Sequence, residues 1–259
     1  MLRALYTSAT GMKAQELLID NTANNLANVN TTGFRRSRID FADLVYNTIR
    51  APGGQETTSP TGLQIGNGVR VVGTTKHFIQ GNLEQTGNPL DVAIEGDGFF
   101  QVQDAGGLER YTRAGTFRID AQNRLVTSDG YIVQPAITVS PTIQDISVAP
   151  DGTIVGTESG ATTQTTIGNI LLYNVPNPAG LSSEGSNLFS LTDASGAVTQ
   201  GTPGQNGLGT TRGGFLENSN VEVVTELISL ISAQRAYEIN SRAIRAGDEM
   251  LSTSVDIVR

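Results

Sequence analysis

The residues that could do chemistry in this chain are few, and their types exclude several classes of active site. Cys is absent and His77 is the only His, which excludes disulfides, thiolate zinc sites, Cys nucleophiles and multi-His metal sites. A Ser-His-Asp triad would need His77, yet no Gly-x-Ser-x-Gly turn is present to expose the Ser. His77 lies within the strand-like run 69–78, so we expect a surface or hydrogen-bonded strand histidine there.

Carboxylate pairs are the remaining catalytic candidates. Asp145 with Asp151, or Glu95 with Asp97, could be offered as a glycosidase pair, but a chain with 25 acidic residues yields such pairs by chance. The glycine-rich 96–98 cluster precedes no helix that would direct N–H groups at a phosphate, so we expect a tight turn there. The sequence therefore predicts no catalytic, cofactor-binding or metal-binding residue, and no enzyme.

Composition and charge limit the other possibilities. The chain has 259 residues, and its apolar content is that of a folded protein rather than a disordered one. The net charge of −8 argues against non-specific nucleic-acid binding. No apolar run approaches the ~18 residues of a membrane span. The N-terminus lacks an apolar signal region and a cleavage site, so we expect either a cytoplasmic protein or export without a cleaved signal peptide.

Long helices are predicted at both chain ends. In residues 2–30, seven positions alternate in steps of four and three, and all but Glu16 are apolar; Gly33 can end the helix in a left-handed conformation. A second helix is predicted over 219–257, where Ser219 and Glu222 have the spacing of a capping box. The same four-three stepping follows, from Val223 to Val258. An ordinary core helix, a coiled coil between the termini and a coiled coil between subunits all fit these stripes.

Between the helices, about 40–215, the period is two and turn signals recur. Leu90–Ile94 and Phe99–Val102 have strand patterns. Residues 111–120 with 124–133, and residues 167–175 with their neighbours, are predicted to form hairpins. The chain is therefore α+β, with helical ends and a β-rich middle, which suggests an elongated molecule whose termini meet. Four dipeptides have the composition of hairpin turns: Asn67-Gly68, Asp129-Gly130, Asp151-Gly152 and Asn206-Gly207.

Two segments resemble a known family. Residues 23–36, Ala-Asn-Asn-Leu-Ala-Asn-Val-Asn-Thr-Thr-Gly-Phe-Arg-Arg, and residues 232–240, Ser-Ala-Gln-Arg-Ala-Tyr-Glu-Ile-Asn, resemble the two ends of the bacterial flagellar rod and hook family. Residues 62–70 and 90–102 resemble the members of that family that build the distal rod, and the chain length suits them. The resemblance covers nearly the whole chain and is weakest over 135–212.

The resemblance implies a layered fold. Residues 1–33 and 219–259 would form an inner coiled-coil domain from the two helices. Residues 34–94 and 196–218 would form an intermediate layer of extended and β structure, and 95–195 a β-rich outer domain.

The resemblance also implies a function. The chain would be a structural subunit of a helical, tubular polymer that crosses the periplasm in the flagellar basal body. This polymer would transmit torque from motor to hook and enclose the export channel. Implied partners are further copies of the chain, the proximal rod protein, the hook protein, the P- and L-ring proteins and the type III export apparatus.

Helices with apolar stripes and no partner domain need to bury that surface, and repeated burial between copies produces a filament. The predicted polymerisation interface comprises Leu5, Ala9, Met12, Ile19, Ala23, Asn24, Asn25, Leu26, Asn28, Val223, Leu227, Leu230, Tyr237, Ile244 and Leu251. The Asn residues would set the register, or else mark a frayed helix end.

Residues 46–66 would, by resemblance, bridge neighbouring subunits and stiffen the tube. The residues named for this role are Tyr46, Pro52, Pro60, Gly62, Leu63 and Ile65, and a plain surface loop is the alternative. A different alternative for the whole chain is a secreted β-rich adhesin or carbohydrate-active enzyme with a helical stalk. An adhesin has no need of paired terminal heptads, and an enzyme would need a convergent polar cluster.

Overall fold

The structure, a computed structural model, describes residues 2–50, 62–104, 106–160 and 163–257. It places one long α-helix at each end and strands between them, so the predicted α+β class is confirmed. The chain divides into two compact units. The helical unit comprises residues 1–27, 37–76 and 222–259, and the β unit comprises residues 28–36 and 77–221.

The helical unit contains both helices, α1 (Leu2–Ala27) and α2 (Val223–Ile257). Its strands form two antiparallel pairs, in which β1 pairs with β4 and β2 with β3. A bulge at Asp40/Phe41 shifts the register of the first pair. The strands are β1 (Ser37–Asp43), β2 (Asn47–Arg50), β3 (Leu63–Ile65) and β4 (Val69–Lys76).

The β unit is built from short antiparallel strands, and one 3-10 turn, Pro178–Gly180, is its only helix among the described residues. Its strands are β5 (Leu83–Gln85), β6 (Val92–Glu95), β7 (Phe100–Gln103), β8 (Glu109–Thr112), β9 (Phe117–Ile119), β10 (Leu125–Thr127), β11 (Ile132–Gln134), β12 (Ile143–Val148), β13 (Thr153–Glu158), β14 (Gln164–Asn169), β15 (Leu172–Asn174), β16 (Ser182–Gly185), β17 (Leu188–Ser190), β18 (Thr199–Gly201), β19 (Thr210–Gly213) and β20 (Phe215–Glu217). The largest sheet has the order β16-β17-β8-β7-β11-β10-β9, beside the sheets β12-β13-β14, β15-β18, β19-β6 and β20-β5.

The β unit closes its own hydrophobic core. Phe100 is fully buried and meets the ring of Phe117 edge-on at 5.1 Å between centroids. A second, aromatic cluster joins Phe78, Phe99 and Phe189 through further edge-on contacts. The main core consists of Val92, Ile94, Phe100, Val102, Phe117, Leu125, Val133, Ile137, Ile154, Ile170, Leu172, Leu188 and Leu208.

Two of the four predicted hairpin dipeptides join strands that pair with each other. Asp129-Gly130 connects β10 to β11, and Asp151-Gly152 connects β12 to β13. Asn67-Gly68 and Asn206-Gly207 instead connect strands of different sheets, so those two hairpin predictions are wrong. Both glycines still have positive φ, and Asn206-Gly207 forms a turn, because local turn chemistry does not decide which strands pair.

Both helix boundaries differ from those predicted. The first helix ends at Ala27 rather than about residue 30, because Asn28 already accepts the N–H of Thr31 in a turn. The capping box at Ser219 is wrong. The Asn220 amide binds the backbone of Arg36, His77 and Ile79, which holds this segment out of the helix. The first helical bond is instead from the N–H of Glu226 to the carbonyl of Glu222.

Candidate assembly interface

The two helices contact each other through small and polar side chains. They run antiparallel: a Cβ on Gly247 would lie 2.7 Å from Leu5 Cδ2, and one on Gly11 would lie 3.0 Å from Asn240 Nδ2. Ala233 and Gly247 are buried along the same column of α2 as Glu226 and Asn240, seven residues apart. The face that α2 turns to α1 is therefore a small and polar column, and large apolar residues remain for other contacts.

A buried amide ties α1 to the start of β1. Asn25 Nδ2 donates to the Ser37 carbonyl at 2.9 Å, and the Ser37 N–H donates to Asn25 Oδ1 at 3.0 Å. Asn21 donates to the same carbonyl at 2.8 Å, and Asn25 Nδ2 lies 3.3 Å from Glu226 Oε2 on α2. Asn25 thus fixes the position of three segments of the helical unit relative to one another.

Large apolar side chains are exposed mainly on the helical unit. Of the 21 exposed large apolar residues in the described part of the chain, 17 lie in the helical unit and four in the β unit. A groove of about 350 Å³ between α1 and β4 is lined by two of these residues, Tyr6 and Leu17, and by the partly buried Val71. The 17 are Tyr6, Leu17, Phe41, Val45, Tyr46, Ile49, Leu63, Ile65, Val72, Val223, Val224, Leu227, Ile228, Ile231, Tyr237, Ile239 and Met250.

The predicted interface residues fall into three classes of exposure in the single chain. Asn25 is buried in the network just described. The exposed ones are Ala9, Ala23, Asn24, Val223, Leu227 and Tyr237. The partly buried ones are Leu5, Met12, Ile19, Leu26, Asn28, Leu230, Ile244 and Leu251. Most of them therefore keep surface that a second chain could cover, and their interface role stays a prediction.

The sequence pattern missed part of the apolar surface of α2. Val224 is 65% exposed and Ile239 is 66% exposed, and neither belongs to the predicted stripe. Together with Ile228 and Ile231 they lie about half a turn around α2 from the column that faces α1. A helical wheel centred on the residues that contact α1, instead of on the most apolar residues, would have identified this exposed face.

The predicted bridging segment is described only in part. Pro52 and Pro60 lie outside the described residues, so their contribution stays a prediction. Leu63 and Ile65 lie on β3, which pairs with β2, and every residue of both strands is exposed. Gly62 is exposed just before β3.

Tyr46, just before β2, is about half exposed. Its hydrogen bond to Asp43, together with the negative charge of that carboxylate, raises the pKa of the phenol.

A buried ion cluster stabilises the β unit. Glu217 Oε1 accepts from Arg35 Nη2 at 2.7 Å and from the Gly81 N–H at 2.9 Å, and Glu217 Oε2 lies 3.3 Å from Arg113 Nε. Arg113 also donates to the carbonyls of Gly96 and Gly98. Burial lowers the pKa of Arg113 to about 10, and the carboxylate of Glu217 opposes that shift.

The residues considered as catalytic candidates have structural roles in turns and backbone hydrogen bonds. His77 lies just after β4 and not within the predicted strand, because its backbone N–H donates to the Arg36 carbonyl instead of to a strand partner. Gly96 and Gly98 have positive φ where the chain turns between β6 and β7. Asp151 caps its own turn by accepting the Thr153 N–H at 3.0 Å. Over the described ranges no three His, Asp or Glu side chains are grouped as a metal site. Neither described helix is apolar enough over its length to span a membrane.

Comparisons with known proteins agree on one family. Residues 5–35 match the family described as flagella basal body rod protein. Residues 93–156 match the D1 domain of the flagellar hook protein FlgE/F/G, and residues 212–257 match the C-terminal domain of the flagellar basal body rod FlgEFG protein.

Relatives that match over nearly their whole length indicate which member of this family the chain resembles. The chain is 46% identical to flagellar basal-body rod protein FlgG of Buchnera aphidicola subsp. Schizaphis graminum, over 97% of this chain and 98% of the relative. It is 44% identical to FlgG of Borreliella burgdorferi and 37% identical to FlgG of Bacillus subtilis, each over 100% of both chains. Nothing in these comparisons supports an adhesin or a carbohydrate-active enzyme. The chain therefore belongs to the flagellar basal-body rod protein family represented by FlgG, and it is a structural, non-enzymatic subunit of the basal-body rod.

Proposed function

We propose that copies of this chain polymerise through the helical unit into a helical tube, the distal part of the rod. In that role the tube transmits torque from motor to hook and encloses the channel through which later subunits are exported. One observation carries the proposal: 17 of the 21 exposed large apolar residues of the described chain lie in the helical unit.

The exposed surface of the helices is the kind that drives assembly. Burying a Leu, Ile or Val side chain contributes about 1.5–3 kcal/mol, so a few such residues per contact can hold a subunit in place. Val223, Leu227 and Tyr237 are each about 40% exposed beside the column that faces α1. A contact that joins different surfaces of two copies leaves one unpaired surface on each end copy, and its repetition builds a filament when the rotation between copies does not close a ring.

The layered arrangement expected from the sequence fits this role. In the proposed subunit, residues 1–33 and 219–259 form an inner coiled coil, 34–94 and 196–218 an intermediate layer, and 95–195 a β-rich outer domain. The antiparallel contact between Gly11 and Asn240 supports the inner pairing. The strong negative charge of the β unit supports an outer position, because like-charged outer domains stay apart and solvated.

The proposed tube crosses the periplasm, where it has several neighbours. These are the proximal rod protein at one end, the hook protein at the other, the P- and L-ring proteins around it, and the type III export apparatus that delivers its subunits. The family assignment supports these partners as a group, since a basal-body rod subunit must contact other flagellar proteins.

Residues 46–66 are proposed to bridge neighbouring subunits. The exposed β2–β3 ribbon supports this, because between 40% and 57% of the surface of each of Ile49, Leu63 and Ile65 is open to solvent. Deleting residues 52–61 is expected to leave assembly intact and to produce a softer, curved tube. Cryo-electron microscopy of the assembled tubes measures this, and tubes as straight as those of the full chain would favour a plain surface loop.

Electron microscopy of the purified full chain at rising concentration tests the polymer itself. Straight hollow tubes are expected above a critical concentration, with an unchanged β signal in circular dichroism. A chain that stays monomeric at every concentration, with or without preformed rod ends as seeds, would contradict the proposal.

A further inference from the structure

Charged residues on the outward faces of the two helices suggest which surfaces meet between copies. Resting on the proposed polymer, we propose that the outward face of α2 in one copy docks on the outward face of α1 in a second copy, with Arg235 against Glu16. The outward face of α2 is defined by Val224, Ile228, Ile231, Arg235, Ile239 and Arg242. The outward face of α1 is defined by Ala9, Glu16, Asp20 and Ala23.

The geometry of each helix separates these faces from the contact within the chain. On α2, the outward face lies about half a turn from the column of Glu226, Ala233, Asn240 and Gly247 that faces α1. On α1, Gly11 and Asn25 face α2, while Ala14 and Leu17 line the groove towards β4. The outward face of α1 is the third side, and Ala9, Glu16, Asp20 and Ala23 are exposed on it.

The charges of the two faces are complementary. Glu16 and Asp20 stand one turn apart on α1, a like-charge spacing that destabilises an isolated helix. Arg235 and Arg242 stand two turns apart on α2 and are exposed. None of these four residues takes part in an ion pair among those described in the chain. Lys13 and Glu238 border the faces but leave the two centres acidic and basic.

Side-chain size and register agree with the charges. The register that sets Gly11 opposite Asn240 also sets Glu16, five residues further along α1, level with Arg235, five residues earlier on α2. In the same register Ala23 is level with Ile228. A second copy that lies beside the helix pair, without a shift along the helix axes, would therefore place its Arg235 against Glu16 and its large Ile228 against the small Ala23.

The occupant is a second copy of this chain because the two faces complement each other but lie on different sides of the same unit. Such a contact is head-to-tail rather than two-fold symmetric, so each added copy presents a fresh acceptor face. This is the contact geometry that an open polymer requires. A two-fold dimer would instead need one face to complement itself, and two basic α2 faces repel each other.

Charge reversal in the full chain tests the pairing. We expect Glu16→Arg and Arg235→Glu each to raise the critical concentration for assembly by at least roughly tenfold, because like charges then face each other. The double variant should recover most of the loss. Gln164→Glu, on an exposed strand of the β unit, is the matched control and should leave assembly unchanged. Equal assembly of all variants, or no recovery in the double variant, would overturn the pairing.

Cross-linking gives a second readout, and the absence of Cys makes it clean. Mixing a Glu16→Cys chain with an Arg235→Cys chain before assembly should give a mixed disulfide-linked dimer, whereas Glu16→Cys with Gln164→Cys should not. Wild-type tubes that form without the 16–235 cross-link would overturn this inference and leave the proposed polymer standing. A wild-type chain that never assembles would overturn both.

Discussion

The β unit and the helical unit are made of similar apolar side chains but bury them differently. In the β unit, Phe100, Ile154 and Leu172 are fully buried, and four large apolar residues of its described part are exposed. In the helical unit, Ile39 is the one large apolar residue buried among those described, and 17 are exposed. The charges differ too, since the sequence of the β unit carries a net −7 and that of the helical unit −1. The β unit buries most of its large apolar side chains within one chain, whereas the helical unit leaves apolar surface that a second chain could cover.

This difference implies that substitutions in the two units should fail in different ways. A change in the β unit should alter the free energy of unfolding of a single chain. A change on the helices should alter how chains associate while the β structure persists.

The largest effect is expected at the helices. Leu230→Asp or Ile244→Asp places a charge among residues that the proposed tube buries, which costs several kcal/mol at every repeated contact. We expect the critical concentration to rise by more than about 100-fold and motility to be lost, with the β signal in circular dichroism retained. Gln164→Asp adds the same charge on the β unit and should assemble normally. Normal assembly of both helix variants would mean that these positions face solvent in the tube.

A large effect on the β unit is expected from Glu217→Ala. The substitution leaves Arg35 and Arg113 buried without their shared carboxylate, and loss of a buried partner costs about 3–5 kcal/mol. Denaturant unfolding followed by the β signal measures this loss. Glu84→Ala is the matched control, because its carboxylate is exposed and accepts one bond, from Asn218. Similar losses in both variants would show that the cluster contributes little to the stability of this unit.

A smaller effect, confined to the helical unit, is expected from Asn25→Ala. The Ser37 N–H would lose its acceptor, Glu226 would lose the Asn25 amide, and the Ser37 carbonyl would keep only Asn21, at a cost of about 1–3 kcal/mol. Hydrogen exchange should show faster opening of α1 and β1 with unchanged protection of the β core. Thr7→Ala, an exposed change on the same helix, should leave exchange unaltered. Faster exchange throughout the β core would indicate that the two units unfold together.

The smallest effect is expected on the stability of the β unit at low pH. Asp120 accepts the N–H groups of Arg124 and Gln122 and the Arg124 guanidinium, which lower the pKa of its carboxyl. Because the folded pKa lies below the unfolded one, this contribution is fully present above about pH 4 and is lost as the pH falls through the folded pKa. Thermal unfolding should show a slightly shallower acid dependence in Asp120→Asn. An unchanged profile would assign the acid sensitivity to other carboxylates, such as Asp151.

The sequence predicted the elements better than the faces they use. Both long helices and the strand character of the middle follow from hydrophobic period, which local side-chain spacing determines. The contact column of α2 could not be found this way, because Ala233, Asn240 and Gly247 are small or polar and resemble exposed positions. Ala233 and Gly247 are buried because small residues let the helix backbones approach closely, and that depends on the partner helix.

The other features that the sequence did not predict depend on residues that are far apart in the chain. The start of α2 depends on Asn220, whose amide is bound by backbone about 140 residues away in the sequence. The ion cluster joins Arg35 to Glu217 across 182 residues, and no spacing rule connects them. The Asn residues are predicted as a group to set the register of the inner layer; Asn25 is buried in a network within its own chain, and the register-setting role stays a prediction.

The side chain of Asn220 has a consequence for how this architecture can be enlarged or reduced. Arg36 and His77 flank the segment 37–76, and the Asn220 side chain binds the backbone of both. The backbone N–H of His77 also donates to the carbonyl of Arg36, so the two ends of this segment lie side by side. Close by in the chain, the N–H of Gly33 donates to the carbonyl of Glu217, so residues 33 and 217 also meet. Segments whose ends already touch can be lengthened, exchanged or shortened without moving the rest of the chain. We therefore expect the long middle of the sequence to accept insertions and deletions that leave both terminal helices intact.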